Sequence, residues 1–188
     1  DSLKRRLAFS TIGQLSYIVL GVALLTDHAV HGRIMHIPMH AFGKITLFFC
    51  AGAIFVATGK KYISQMDGLG KVMPFTMGAF AIGAMSVTGL PPTGGLLSKI
   101  YLMWGAADAQ QFALLVVYLV SSVLNGVYFF PIIYRAFFKS PEGEKISSGI
   151  KEAPLACVLP LSITAVGSVL LFFFPGLLLK LATMMTTG

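Results

Sequence analysis

Charge is scarce in this chain. Of 188 residues, 11% are charged and 56% hydrophobic, 14 are basic and 7 acidic, and the mean hydropathy is +0.82. Soluble domains carry roughly a quarter charged residues, and this inventory cannot coat a water-facing surface. An ordinary soluble domain is excluded, and the dominance of apolar residues excludes disorder as well. Cysteine is also rare. Cys50 and Cys157 both sit inside apolar segments, which argues against a disulfide framework and reads as buried thiols. The net charge of +7 and pI near 9.6 would suggest nucleic acid only if the basic residues lined a soluble face. They fall between apolar runs, so no nucleic-acid partner is expected. No small-residue cleavage site follows a short apolar core, which excludes a signal peptide, and there is no low-complexity tract or short repeat. What the chain does have is 15 Phe, 9 Met and 20 Gly, a composition suited to helices packed in lipid.

A helix crossing about 30 Å of hydrocarbon needs roughly 20 apolar residues. Leu7–Thr26, Ile34–Thr58, Phe112–Phe138 and Pro154–Leu181 meet this requirement. Pro74–Ala107 would be about 51 Å long as one helix, but Gly89-Leu90-Pro91-Pro92-Thr93-Gly94-Gly95 cannot remain α-helical. It reads as one crossing made of two half-helices, broken near residues 89–95. The expected fold is therefore all-α and integral to the membrane: a single transmembrane domain over 1–188, with five crossings at about 7–26, 34–58, 74–107, 112–138 and 154–181. The connections are an external turn at Asp27–Arg33 and cytoplasmic loops at Gly59–Met73 and Lys139–Ala153. None is long enough for a catalytic domain, so the chain is not expected to be an enzyme by itself. It opens at Asp1, with Lys4, Arg5 and Arg6 leading directly into apolar sequence, and reads as a piece of a longer polypeptide.

With five crossings, one side holds Lys4, Arg5, Arg6, Lys60, Lys61, Lys71, Arg135, Lys139, Lys145 and Lys151, and the other holds Arg33 and Lys180. Lys and Arg concentrate on the cytoplasmic side, which predicts a cytoplasmic N-terminus and an external C-terminus. Without a crossing at the broken segment this bias would collapse.

Ionisable side chains at bilayer depth cost about 2.5 to 3.5 kcal/mol on insertion scales and usually face protein or water. His36, His40 and Lys44 recur at i+4 spacing, forming a stripe about 12 Å long on one helical face. Imidazole titrates near neutral pH, so such a stripe can pass protons. The plainer alternative is interfacial histidines beside a snorkelling lysine, which suits His36 better than the mid-membrane Lys44. Pro38, between the histidines, predicts a kink or a first helical turn. Lys99 closely follows the helix break, where transporters place ion sites. There the N-terminal end of its own half-helix repels an ammonium. Its plainer reading is pairing with a carboxylate elsewhere in a larger protein. Ser10, Thr11, Gln14, Ser16, Ser98, Asn125 and Tyr128 are weaker polar positions, for which helix glue is the commoner role. Arg135 reads as an anchor.

Asp1, Asp27, Asp67, Asp108, Glu142, Glu144 and Glu152 all fall at predicted helix ends or in loops. Without an intramembrane carboxylate, these side chains build no oxygen-rich sodium cage, and no metal or other cofactor is expected. His28 and His31 share the external turn, so they offer no opposing ligand for bis-histidine haem.

Four segments, in order, carry a family resemblance. Asp1-Ser2-Leu3-Lys4-Arg5-Arg6-Leu7-Ala8-Phe9-Ser10-Thr11-Ile12-Gly13-Gln14 resembles the D-x-K-R-x-L-A-[YF]-S-T-x-x-Q signature of antiporter-like subunits. His40-Ala41-Phe42-Gly43-Lys44 resembles their H-A-x-x-K segment, Met66-Asp67-Gly68-Leu69-Gly70 their loop, and Gly89 through Lys99 their broken-helix motif. The family comprises large membrane subunits of Mrp-type cation/proton antiporters and their relatives in complex I and membrane-bound hydrogenases. The wording of Lys44–Lys61 is most similar to the D-type subunits of the Mrp branch. The resemblance implies a 14-helix fold with two inverted five-helix repeats, of which this chain would be the C-terminal portion, helices 10 to 14. It also implies that His36 and His40 belong to a proton-conducting axis, that Lys44 links half-channels, and that Lys99 is the terminal lysine of the discontinuous helix. The essential Glu–Lys pair of the first repeat would lie upstream, in the missing N-terminal part.

The expected function is the second proton half-channel of a multisubunit sodium/proton antiporter in the plasma membrane, with protons and sodium as the ions moved. Ser10, Gln14, Ser98, Asn125 and Tyr128 would support Lys44, Lys99, His40 and His36. The alternative is a proton-pumping subunit of a complex I-like quinone oxidoreductase or membrane-bound hydrogenase. Either function requires other membrane subunits as partners.

Overall fold

The structure, a computed structural model, describes residues 1–140 and 150–186. They form α1 (Leu3–Leu24), α2 (Asp27–Thr58), a 3-10 turn (Ile63–Gln65), α3 (Leu69–Val72), α4 (Pro74–Thr88), α5 (Gly94–Asp108), α6 (Phe112–Phe138), α7 (Leu155–Phe173) and α8 (Gly176–Thr186). Helices α1, α2, α6 and α7 are each long and apolar enough to cross a membrane. Helix α2 is the hub, packing against α1, α4, α5, α7 and α8. The fold is all-α and membrane-integral.

Several boundaries differ from the expectation, each for a local reason. The turn expected at Asp27–Arg33 is the opening of α2, leaving only Leu25 and Thr26 between α1 and α2. Leu25 takes a left-handed φ of 52°, and the Thr26 hydroxyl caps α2 by accepting from the Ala29 amide at 3.4 Å. Polar side chains alone therefore do not end a helix when a cap and an acidic first turn favour it. Pro38 lies well inside α2, so it does not mark the first turn. Helix α1 starts at Leu3 and takes Lys4, Arg5 and Arg6 into its opening turns. The last expected crossing is divided into α7 and α8 at Phe174-Pro175, because a residue preceding proline is driven out of the helical region; Phe174 has φ −125° and ψ 60°. Lys145, Glu142 and Glu144 lie outside the described residues.

The broken segment consists of two 15-residue helices, α4 and α5. Helix α4 begins at Pro74, whose missing amide costs nothing in a first turn. Its free N-terminal amides are satisfied from elsewhere in the chain. Glu152 Oε1 accepts from the amides of Phe75 (2.7 Å) and Thr76 (3.3 Å), and Oε2 from the Thr76 hydroxyl (2.6 Å). Helix α4 ends at Gly89, which has φ +87°, a conformation that favours glycine.

Every described charge of the expected cytoplasmic group gathers at one end. Ser2 bridges to Tyr62, the Arg6 guanidinium donates to the Tyr128 carbonyl, Arg135 and Lys139 reach Asp67, and the Lys151 amide donates to the Val72 carbonyl. At the other end His28 pairs with Asp108 and the Thr26 hydroxyl donates to the Gly105 carbonyl. Between the ends lie two apolar cores. The larger includes Leu3, Leu7, Leu47, Val87, Phe129 and Ile132; the smaller includes Tyr17, Leu24, Ala29, Leu102 and Tyr118. On α1, Ser10 and Gln14 come between residues of the two cores, and on α2 so do His36, His40 and Lys44. A polar layer thus separates them.

Candidate functional site

The polar layer begins at Lys44. It is 5% exposed, donates to the Leu7 carbonyl at 3.2 Å, and lies 5.5 Å from the Phe129 ring centroid. One turn back on α2, His40 stacks on His36 with ring centroids 5.6 Å apart and planes 18° from parallel. The i+4 spacing therefore places the two imidazoles face to face, with Pro38 accommodated between them. His36 also stacks on Tyr17 at 5.7 Å, and its Nδ1 lies 2.9 Å from Ser98 Oγ. Ser98 donates its single hydroxyl proton to the Gly95 carbonyl at 3.1 Å, so it accepts from His36 Nδ1–H. The other ring nitrogen, Nε2, is then an acceptor.

Lys99 completes the layer from α5. Its Nζ donates to the carbonyls of Val87 and Thr88, both at 2.9 Å, and lies 4.9 Å from the Tyr17 ring centroid. Those carbonyls belong to the C-terminal turn of α4, where the helix dipole is negative. The repulsion expected from α5's own N-terminus is thus answered by the other half-helix, a consequence of the break that sequence spacing does not reveal. Gly89 permits this contact, because a Cβ there would come within 2.8 Å of Lys99 Cδ. A Cβ on Gly95 would overlap the Ser86 carbonyl, so glycine also lets α5 lie close against α4.

The basic groups influence one another: His40 interacts electrostatically with Lys44 and Lys99, His36 with Lys99, and Lys99 with Lys44. Among the described residues, no carboxylate lies within ion-pair distance of either lysine. Ser10 Oγ, Gln14 Oε1, His36 Nε2, His40 Nε2, Ser86 Oγ and Thr88 Oγ1 are buried with no protein partner. An unmet buried polar atom costs about 1–3 kcal/mol, and such atoms are attachment points for internal water. The layer thus combines groups that hold protons with acceptors that can relay them.

Of the expected supporting residues, Gln14 bonds the Val87 carbonyl that also receives Lys99 (3.3 Å), Ser98 positions His36, and Ser10 is buried in the layer. Asn125 instead donates to the Ser121 carbonyl of its own helix at 2.8 Å. Tyr128 lies toward the basic end beneath the Arg6 guanidinium, 4.9 Å from ring centroid to Cζ. Thr11 and Ser16 bond back to Leu7 and Ile12 within α1. Arg135 does more than anchor a helix end, holding Asp67 through two nitrogens at 2.6 and 3.0 Å. Sequence reading missed Tyr17, Ser86 and Thr88. Tyr17 could have been found, since Ser10, Gln14 and Tyr17 follow i, i+4, i+7 spacing on one face. Cys50 and Cys157 are free thiols.

Comparison with known proteins places this geometry. The profile described as "NADH:quinone oxidoreductase/Mrp antiporter, TM" matches residues 1–125. NADH-quinone oxidoreductase subunit N of Desulforudis audaxviator (strain MP104C) is 38% identical over 182 residues, covering 92% of this chain and 36% of that protein. An Na(+)/H(+) antiporter protein of Bacillus subtilis (strain 168) is 32% identical over 197 residues, covering 94% of this chain and 25% of that protein. A chain in the structure of the Mrp complex from Dietzia sp. DQ12-45-1b superposes with a TM-score of 0.82 at 28% identity, covering 94% of this chain and 40% of that one. The chain therefore spans a quarter to two-fifths of the length of these relatives. With two-thirds of its residues inside one family profile, and a fold shared with the Mrp complex, the chain belongs to the NADH:quinone oxidoreductase/Mrp antiporter transmembrane family.

Proposed function

We propose that this chain provides the second proton half-channel of a multisubunit monovalent cation/proton antiporter, with sodium as the exchanged ion. The observation that carries the reading is the layer in which Lys44 and Lys99, buried without a carboxylate, are coupled through His40. Protons would be held at the lysines and relayed through His40, His36 and water bound to the unpartnered polar atoms. The likeness to the Bacillus subtilis antiporter protein and to the Mrp complex supports this; assignment to the D-type branch rests on the wording of residues 44–61. The basic end would face the cytoplasm of a plasma-membrane protein, with the C-terminus outside, following the placement of Lys and Arg. The rest of the polypeptide and neighbouring membrane subunits would complete the path, and the chain would transport rather than catalyse.

The experiment is Lys99→Ala in the full-length protein of the assembled complex, with sodium-dependent proton flux measured in vesicles. Flux should be lost, and unchanged flux overturns the role of Lys99. A second reading, a proton-pumping subunit of a redox complex, is favoured by the 38% identity to a quinone oxidoreductase subunit. Proton flux that follows quinone reduction and is indifferent to replacing sodium with choline would select it.

A further inference from the structure

The basic end holds a cavity that the proton path does not use. It has a volume of about 310 Å³ and is lined by Ser2, Leu3, Lys4, Ala51, Phe55, Lys60 and Lys61. Leu3, Ala51 and Phe55 contribute its apolar surface, and three lysines its charge. Two of the ammonium groups sit on the same ring: Lys4 Nζ is 5.7 Å and Lys61 Nζ 4.9 Å from the Phe55 centroid. Like charges gathered on one ring repel, and an anion between them reverses the sign of that interaction. No carboxylate lines the cavity; that of nearby Asp1 accepts from the Ser64 amide at 3.1 Å and its hydroxyl at 2.6 Å.

The surroundings indicate which anion. Phe55 lies in the last turn of α2, and the same helix exposes Ile45, Phe48, Phe49, Phe55 and Val56. These positions follow helical spacing along one face, and Gly52 among them has open space beside it. An apolar track thus runs from mid-helix to the lysines. Basic pockets between transmembrane helices at the membrane surface suit anionic headgroups, and lysine stems covering apolar surface suit the interface. We propose that this cavity binds an anionic phospholipid, with Lys4, Lys60 and Lys61 holding the phosphate and the exposed face of α2 carrying an acyl chain.

The test uses the assembled full-length complex in phosphatidylcholine vesicles containing a photoactivatable analogue of either phosphatidylglycerol or phosphatidylcholine. The phosphatidylglycerol probe should label residues 45–61 at least about tenfold over the phosphatidylcholine probe, given three lysines at the surface. Lys4→Gln, Lys60→Gln and Lys61→Gln together should weaken its binding by about fivefold per lysine, whereas the triple arginine variant retains it. Millimolar inorganic phosphate should not compete. Equal labelling by the two probes overturns the proposal. Displacement by inorganic phosphate overturns it in favour of a soluble-anion site, and an acidic protein segment cross-linked to Lys60 or Lys61 in place of lipid overturns it in favour of a protein partner. If the glutamine variant does not assemble, the ratio of the two probes on the wild-type complex decides.

Discussion

Lys44 and Lys99 are buried against backbone carbonyls and aromatic rings, whereas Arg135 and Lys139, at the rim of the same bundle, share the carboxylate of Asp67. The inner pair has replaced a counter-ion with dipoles: the Leu7 carbonyl for one, and the C-terminal carbonyls of α4 for the other. Dipoles stabilise an ammonium without fixing a full opposite charge beside it, so a proton there stays exchangeable. At the rim a carboxylate locks the charge, and the contact serves architecture by tying the loop before α3 to the end of α6. Burial without an acid marks the functional charges, and pairing with an acid marks the structural ones.

The contrast is tested most severely by Lys44→Ala and Lys99→Ala. Each should cut proton flux on the order of 100-fold, the lower range for a positioned proton-transfer group. The double variant should be little worse than either alone, because the groups act in series. Equal and independent losses would break the picture of one layer. Next is Gly89→Ala, which leaves every ionisable group in place but adds a Cβ against Lys99 at φ +87°. A destabilisation of about 1–3 kcal/mol is expected from strain and overpacking, with a loss of flux that Gly59→Ala, also at positive φ but in open space, does not share.

Smaller effects belong to the rim. Arg135→Ala should lower stability by about 1 kcal/mol or less while leaving proton flux per assembled complex unchanged. The Arg135 guanidinium holds the Asp67 carboxyl below its ordinary range. The stabilisation is therefore fully present above the unfolded value and is lost as pH falls through the depressed folded value. The difference in melting temperature between wild type and Asp67→Asn should accordingly shrink below about pH 4. Smallest of all, Thr11→Ala and Ser16→Ala remove hydroxyls that bond only within α1. Both should stay within about 0.5 kcal/mol of wild type with normal flux; a large loss in either would extend the functional layer onto another face of α1.

Much of this arrangement was legible in the chain because lipid makes hydropathy a local quantity. The long apolar runs, the break at Gly89–Gly95 and the i+4 stripe from His36 to Lys44 each depend on residues a few positions apart. The start of α2 was misplaced for the same local reason: His28, His31 and Arg33 lower the hydropathy of a segment that Thr26 nonetheless caps into helix. Thr88 and Ser86 could not be distinguished from ordinary helix hydroxyls, and Asn125 was credited with a cross-helix role that it does not fill.

By itself, then, the sequence determined the solvent, the approximate crossings, the asymmetry of basic charge and the identity of the two lysines that do not belong in hydrocarbon. Only the tertiary structure decided what those lysines bind. Leu7 is 37 residues from Lys44, and the carbonyls of Val87 and Thr88 reach Lys99 only because α4 and α5 meet across the break. A backbone carbonyl carries no side-chain signature, so its availability as a ligand for a buried charge emerges only when the helix that exposes it has an end, and when that end is packed against the charge.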